Sequence, residues 1–461
     1  MPPEPVLTRS PARSREDIAK AEIGHTDVSA ALARATTATF LSLVCVVPLA
    51  QSAYDRWTST SLEPTARSAT ARVPEPTTSM LVARYLANRE AARADAPGFV
   101  GQVLALNRTL LEWITRFEEY LDDASLLGRT VRPPGQYVLT RAFGVGNEQA
   151  YTAREGWLFF RPDVDYLTGP GFLAPAEMKR RRAIASEWTT PPESDPRPAI
   201  LDFQRQLRAR GIVLVVVPAP IKPMVHPEKM ARVYDGWRKP VNNPSYDELV
   251  ANLRQNGVPV FDLSQALVDE RLRSGRPQYL TTDTHWRPEA MERAARDLAA
   301  FVDERVPLPP APDPGYALAR VEVTTLGDIA RMLDLPDDQT LLRPETVSIG
   351  RILSADGGPW RPQRSADVLV LGDSFSNIYS LGSMEWGDSA GFVEHLSHAL
   401  RRPIDRIVQN ADGAWSTRMQ LRQELARGVD RLRGKRVVIF QVAARELASG
   451  DWKVIDLPAG Q

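Results

Sequence analysis

One cysteine in 461 residues excludes an intrachain disulfide framework and any cysteine-based zinc site. That residue, Cys45, sits in the one long charge-free stretch near the N-terminus, so a cysteine nucleophile in the body is excluded as well. Net charge is missing too: 57 basic residues face 57 acidic ones, and the formal charge at pH 7 is +0. Nothing global draws such a chain toward nucleic acid. Lysine is a small minority of the basic residues, and the arginines are scattered. Only five histidines are available as general bases or ligands. One histidine among scattered carboxylates falls short of a zinc ligand set, so neither a metal nor a cofactor is expected. Compositional extremes are absent, with 43% hydrophobic and 25% charged residues. That excludes wholesale disorder, and the length suits two domains or one large domain with additions.

The charge-free stretch runs from Ala35 to Ala53. At helical rise it is long enough to cross roughly 30 Å of hydrocarbon, although its threonines and Pro48 weaken it. The expected organisation is a cytoplasmic leader over 1–34, a transmembrane signal-anchor over 35–54 and a tether over 55–84. A helical region over 85–147 follows, and then the main domain over 148–456. This puts the main domain in the periplasm, held at the inner membrane, with a cleaved periplasmic or secreted form as the alternative.

The main domain alternates strand and helix. Gly211–Pro218 is a continuous β-branched run, the mark of a strand buried on both faces of a parallel sheet. Further strands are expected at Gly156–Arg161, Val258–Asp262, Asp367–Leu371, Ile404–Gln409 and Arg436–Gln441. Helices are expected at Ala199–Arg210, Tyr246–Asn256, Pro288–Val302, Phe392–Leu400 and Arg418–Leu432. An insertion of uncertain form occupies about 306–362. The fold class is α/β, a doubly wound, mainly parallel sheet in three layers, and its functional groups belong just past the carboxyl ends of strands.

At one such end stands Gly372-Asp373-Ser374-Phe375-Ser376. A tight turn there exposes a hydroxyl, and a helix beginning at the same point aims N–H groups at any oxyanion formed beside it. A plain turn is the competing reading, since Gly, Asp and Ser all favour turns. The base is sought among the histidines. His25 precedes the anchor, His395 and His398 lie on the expected outer face of a helix, and His226 follows a strand end. His285, in Asp283-Thr-His-Trp-Arg-Pro288, has an acid two residues earlier that can set its tautomer while the other ring nitrogen faces the serine.

Gly-Asp-Ser-Phe after a strand, with Asp-Thr-His-Trp upstream, resembles the alginate O-acetyltransferases of the AlgJ/AlgX kind, which carry an SGNH-hydrolase-like domain. Glu155-Gly-Trp-Leu-Phe, Val215–Lys222, Gly327–Leu333 and Arg445–Trp452 extend the resemblance over about 150–453. It implies Ser374 as nucleophile, His285 as base and Asp283 as its orienter. It also implies acetyl transfer onto an exported polysaccharide, alginate or a similar exopolysaccharide, with a membrane-bound acyl-transfer protein as acetyl donor. Asn410 and Gly413 are oxyanion candidates, and Arg445, Tyr379 and Trp286 are groove candidates. For Arg445 a solvated pair with Glu446 competes, and for Tyr379 a core position. Two alternatives stand beside the transferase: an SGNH-type carbohydrate acetylesterase, and a non-catalytic scaffold of a secretion complex in which Trp286, Trp360, Trp386 and Trp415 stack on sugar.

Overall fold

The computed structural model describes residues 29–59, 78–95, 98–184, 192–410 and 413–458. His25, most of the expected leader and the centre of the expected tether lie outside the described residues. The chain divides into two compact units, Met1–Val131 and Arg132–Gln461.

In the first unit the charge-free stretch lies inside one 30-residue helix, α1 (Ala30–Ser59). Among the described residues no helix is long and apolar enough to cross a membrane, so the expected transmembrane anchor is not shown. The reason is composition: threonine, serine and glutamine interrupt the apolar residues between Ala35 and Ala53. Two more helices, α2 (Thr78–Asp95) and α3 (Phe99–Ala124), pack against each other. Polar contacts mark their seam: Asn88 donates to Thr109 Oγ1 at 3.0 Å, and Arg84 Nε to Glu112 Oε2 at 2.6 Å.

In the second unit the β-branched runs form the centre. Short β1 (Ala150–Thr152) and β2 (Leu158–Phe160) pair antiparallel. Four strands, β3 (Val213–Ala219), β6 (Val368–Gly372), β7 (Asp405–Val408) and β8 (Val437–Ala443), form a parallel sheet in the order β3-β8-β6-β7. Every residue of β6 and β8 is buried, so the sheet is covered on both faces, as the unbroken apolar runs require. The cover includes α4 (Pro196–Arg208) against β3, while α5 (Pro288–Arg305) packs on α6 (Phe392–Ala399) and α7 (Gly413–Ala426) lies along β6, β7 and β8. Pro288 opens α5 in its first turn, and Ala294, Ala295, Leu298 and Val302 make its buried stripe.

The chain leaves β6 for β7 on one side, then crosses to β8 on the other. Connections that part in this way open a crevice at the carboxyl end of the strand between them. The Gly-Asp-Ser turn stands there.

Three expected elements come out differently. Val258–Asp262 is no strand but a single parallel bridge, Val260 to Val216. The helix expected at Arg418–Leu432 is α7, five residues earlier; Gly428, at φ +80°, ends the helical path before Leu432 is reached. The insertion is an antiparallel ribbon, β4 (Ala317–Thr325) with β5 (Glu345–Leu353), and between them the short helix Asp328–Met332.

Candidate active site

Ser374 opens the single helical turn Ser374–Asn377 directly beyond β6. Asp373 caps that turn: its Oδ1 accepts from Phe375 N at 2.9 Å, an arrangement worth about 1 kcal/mol. The same carboxylate ties the turn to the neighbouring strand, accepting from Gln441 Nε2 at 2.7 Å and from Ala443 N at 2.5 Å. Gln441 returns the tie, its Oε1 accepting from Asp373 N at 3.1 Å and Ser376 Oγ at 2.6 Å. Asp373 therefore builds the loop, and the hydroxyl beside it is left for chemistry. Ser374 N has no acceptor among the described residues, as expected of a helix's first amide. Gly413 packs so closely that a Cβ on it would lie 2.7 Å from Asp373 Cβ, so only glycine lets α7 begin against this loop.

The second half of the site is the irregular loop before α5. His285 Nε2 lies 2.8 Å from Ser374 Oγ, and its Nδ1 lies 2.7 Å from Asp283 Oδ1. The two members of the Asp-x-His pair also share a backbone bond, His285 N to Asp283 Oδ1 at 3.0 Å. Asp283 Oδ2 accepts from Asp328 N at 3.0 Å and from the Trp386 indole at 2.9 Å. A buried carboxylate with four N–H donors is stabilised in its charged form. Burial pushes Asp283 upward, but the bond to and charge of His285, then Asp328 N–H and Trp386, outweigh it and hold the carboxyl well below its ordinary range. Burial pulls His285 down, yet the bond to Asp283 and the charges of Asp283 and Asp328 leave it above its ordinary 6.5. Asp328, whose side chain keeps 31% exposure, is pushed up to about 6 by its surroundings and by Asp283. Ser374 and His285 are only 6% and 3% exposed. The arrangement is an activated hydroxyl with an oriented base in a nearly dry site.

The insertion turns out to support this loop. Gly327 N donates to Thr282 Oγ1 at 3.2 Å, and Ala330 N to Thr282 O at 3.1 Å. A Cβ at Gly327 would lie 2.3 Å from Thr282 C and O, so glycine is required at this approach. Asp328 Oδ1 accepts from Thr284 N at 2.7 Å. Glu345, at the start of β5, accepts from Thr281 N at 2.9 Å and from Arg287. Lys222, fully buried, reaches Leu158 O at 2.7 Å and Thr281 O at 3.3 Å, which pins the loop to β2. Sequence reasoning assigned no role to Asp328, Glu345 or Lys222. Asp328 and Lys222 lie in stretches quoted for the family resemblance, the one signal that could have raised them.

Asp283, His285 and Asp328 also offer three possible ligand atoms within 4.8 Å of one another. Both oxygens of Asp283 and Oδ1 of Asp328 are turned to N–H donors, and Nε2 of the histidine to the serine, which fits a hydrogen-bonded acid–base array.

The remaining candidates part ways. Tyr379 is fully buried and donates to Trp286 O at 2.6 Å, while Trp286, also buried, donates to Phe375 O at 3.2 Å. Neither lines a groove; both brace the loops from below, because a ring with one polar atom is best placed in the core with that atom bonded. Trp360 and Trp386 are likewise buried, which removes them as sugar-stacking surfaces, whereas Trp415 is half-buried with Lys453 Nζ 5.6 Å from its ring. Asn410 is exposed, and its side-chain oxygen accepts from Asn377 at 2.8 Å. Arg445 is not a solvated partner of Glu446; it is paired with buried Asp163 at 3.0 Å. His226 does not reach the serine but is buried, with Nδ1 2.9 Å from Glu228 and Nε2 accepting from Gln278 N. His395 faces inward, 2.8 Å from Gly350 O.

Comparison with known proteins gives the family. The family described as "SGNH hydrolase-like domain, acetyltransferase AlgX" matches residues 152–443, well over half of the chain. "Probable alginate O-acetylase AlgJ" of Pseudomonas aeruginosa is 25% identical over 286 residues, covering 61% of this chain and 67% of the relative. The protein of the same name from Pseudomonas fluorescens is 30% identical over 220 residues, 47% of this chain and 53% of its own, so the match spans about half of that relative's length. The solved O-acetyltransferase domain of Pseudomonas putida AlgJ is 21% identical, with 65% of this chain and 92% of that one covered at a TM-score of 0.47. The parallel α/β sheet, the Gly-Asp-Ser strand end and the matched span lead to one statement: the chain belongs to the SGNH hydrolase-like acetyltransferase family typified by AlgX.

Proposed function

We propose that this chain is an O-acetyltransferase that carries an acetyl group on Ser374 and passes it to hydroxyls of an exported polysaccharide, alginate or a similar exopolysaccharide. It acts in the periplasm at the inner membrane, with a membrane-bound acyl-transfer protein as acetyl donor. The observation that supports this most is the unbroken hydrogen-bond path from Asp283 through His285 to Ser374, with steps of 2.7 Å and 2.8 Å. The names of the Pseudomonas relatives support the choice of acetyl and of polysaccharide.

In the first step Ser374 Oγ bonds to the acetyl carbonyl carbon while His285 Nε2 takes the hydroxyl proton. The carbonyl electron pair moves to oxygen, within reach of Ser374 N–H at the helix start. Asp283 stabilises the imidazolium and fixes its orientation. Collapse expels the donor's leaving group, which takes the proton from His285. The acceptor hydroxyl then repeats the cycle in reverse: His285 removes its proton, the sugar oxygen bonds to the acetyl carbon, and Ser374 leaves with the proton returned. Burial of serine and histidine favours a bound sugar hydroxyl over bulk water.

Replacing Ser374 with alanine removes the attacking oxygen. The expected outcome is loss of the acetylated-protein mass seen after incubation with an acetyl donor, and loss of acetyl transfer to oligosaccharide. Full transfer by the Ser374→Ala protein would sink the proposal, and free acetate as the only product at saturating acceptor would make the chain an esterase instead.

A further inference from the structure

Beside the nucleophile lies a charged pair that the steps above do not use. Arg445 stands two residues past the end of β8, the strand next to β6. Its Nη1 donates to Asp163 Oδ1 at 3.0 Å. Asp163 is 0% exposed, and its other oxygen has no partner among the described residues. The guanidinium lies 6.0 Å from the ring centre of Phe375, the residue after Ser374, and 5.3 Å from that of Phe160. The imidazole of His285 flanks the same Phe375 ring at 4.9 Å. The remaining N–H groups of Arg445 meet no acceptor among the described residues, and its side chain keeps 16% exposure.

A buried ion pair is a poor way to gain stability, because desolvating both charges offsets most of their attraction. Here one carboxylate holds one end of a planar fork, and the free end is left at the carboxyl edge of the sheet. A fixed cation with spare donors in a site of low dielectric is suited to charge that develops only during reaction. We propose that Arg445 is an oxyanion donor of the acyl-transfer site, anchored by Asp163; this rests on the reading of Ser374 as nucleophile. When Ser374 Oγ bonds to the acetyl carbon and its proton passes to His285, the carbonyl oxygen gains an electron pair and accepts N–H bonds from Arg445 and Ser374 N. When the carbon–oxygen bond to the leaving group breaks, the pair returns to the carbonyl and the leaving oxygen takes the proton from His285. The guanidinium also opposes the upward pull that Asp283 and Asp328 exert on His285, helping the base to stay neutral.

The test uses the full chain with p-nitrophenyl acetate as acyl donor, and neutral or uronic-acid oligosaccharides as acceptors. Arg445→Gln alone strands Asp163 in the core, so the Asp163→Asn/Arg445→Gln double variant and Arg445→Lys accompany it, each checked for thermal unfolding. The expected result for the folded double variant is a fall of about 10²–10³ in kcat for acylation. KM for the neutral acceptor stays within a few-fold. Arg445→Lys recovers part of the rate. A folded double variant that acylates at the parent rate overturns the assignment. So does a variant whose only change is a raised KM for the uronic-acid acceptor, since Arg445 would then grip substrate carboxylate. Ser374→Ala run in parallel separates the two failures: activity retained there defeats the nucleophile, whereas activity lost there but kept in the double variant defeats only Arg445.

Discussion

The loop that carries Ser374 is held by its own first turn and by the neighbouring strand, and the loop that carries Asp283 and His285 is held by side chains arriving from several distant segments. On the serine side, the ties run from Asp373 to Phe375 N, Gln441 and Ala443 N, all on β6, its helical turn or adjacent β8. On the histidine side, the donors and acceptors come from Lys222, Asp328, Glu345 and Trp386, spread over more than 160 positions of chain. A strand end is rigid because its backbone is already paired, so one capping side chain completes it. An irregular loop has no ladder of its own, and each of its backbone groups has to be met individually. The difference teaches where the site can be damaged without touching the reacting atoms: on the histidine side.

The largest expected effect breaks that side at its centre. Asp283→Asn keeps the size of the side chain but can present its amide to the imidazole and reverse the tautomer. We expect kcat to fall about 10⁴-fold, with a loss of thermal stability as well, because an amide cannot accept from all four N–H donors that surround this carboxylate. A loss under tenfold, read by acetyl-ester turnover, would mean that His285 is oriented without it.

Lys222→Met comes next, and it tests the pin from below. It leaves Leu158 O without its donor, at a cost of about 1–3 kcal/mol for a buried orphan, and takes from Thr281 O one of its two donors, the other being Leu158 N. The pH dependence sharpens the test. Burial lowers the Lys222 ammonium to about 8, against 10.5 for a free lysine, despite the attraction of Asp283 and Asp328. Between these values the unfolded chain binds more protons than the folded one, so native stability gains from this residue as pH rises. Urea unfolding of parent and variant is expected to show a gap that widens from about pH 8 to 10.5; a constant gap would contradict the buried cation.

The smallest effect falls on the pH–rate profile. His285 has to be neutral to accept the serine proton, and its value lies above 6.5, so kcat/KM should rise with pH through a midpoint above 6.5. Asp328→Asn removes one carboxylate that favours the imidazolium, and the midpoint should move to lower pH with kcat at the plateau nearly kept. A midpoint that stays put would show that Asp328 shapes the loop and leaves the base untouched.

Much of this was legible in the chain itself. The unbroken run at Val213–Ala219 and the matching runs at β6 and β8 marked a parallel sheet, because only strands buried on both faces dispense with polar alternation. Gly372-Asp-Ser and Asp283-x-His285 were readable as pairs for the same kind of reason: each is a local motif whose parts bond within two residues. For the tryptophans and Tyr379 the sequence held both a groove and a core reading, since a ring's spacing does not say which of the two it faces, and burial gives the core for Tyr379, Trp286, Trp360 and Trp386. The insertion at 306–362 was of uncertain form in the sequence, and it delivers Gly327 and Asp328 to the catalytic loop. Arg445 looked like a surface residue beside Glu446 because its true partner, Asp163, lies 282 positions away.

The sequence by itself determined which residues could do acyl transfer, since a hydroxyl at a strand end and an acid–histidine pair are local chemistry written in a few adjacent letters. Only the tertiary structure decided that they meet, that Asp283 is surrounded by donors and that Arg445 pairs with Asp163. Those outcomes depend on contacts spanning 89, 103 and 282 positions, and the order in which strands pair, not their composition, brings such distant segments within ångströms.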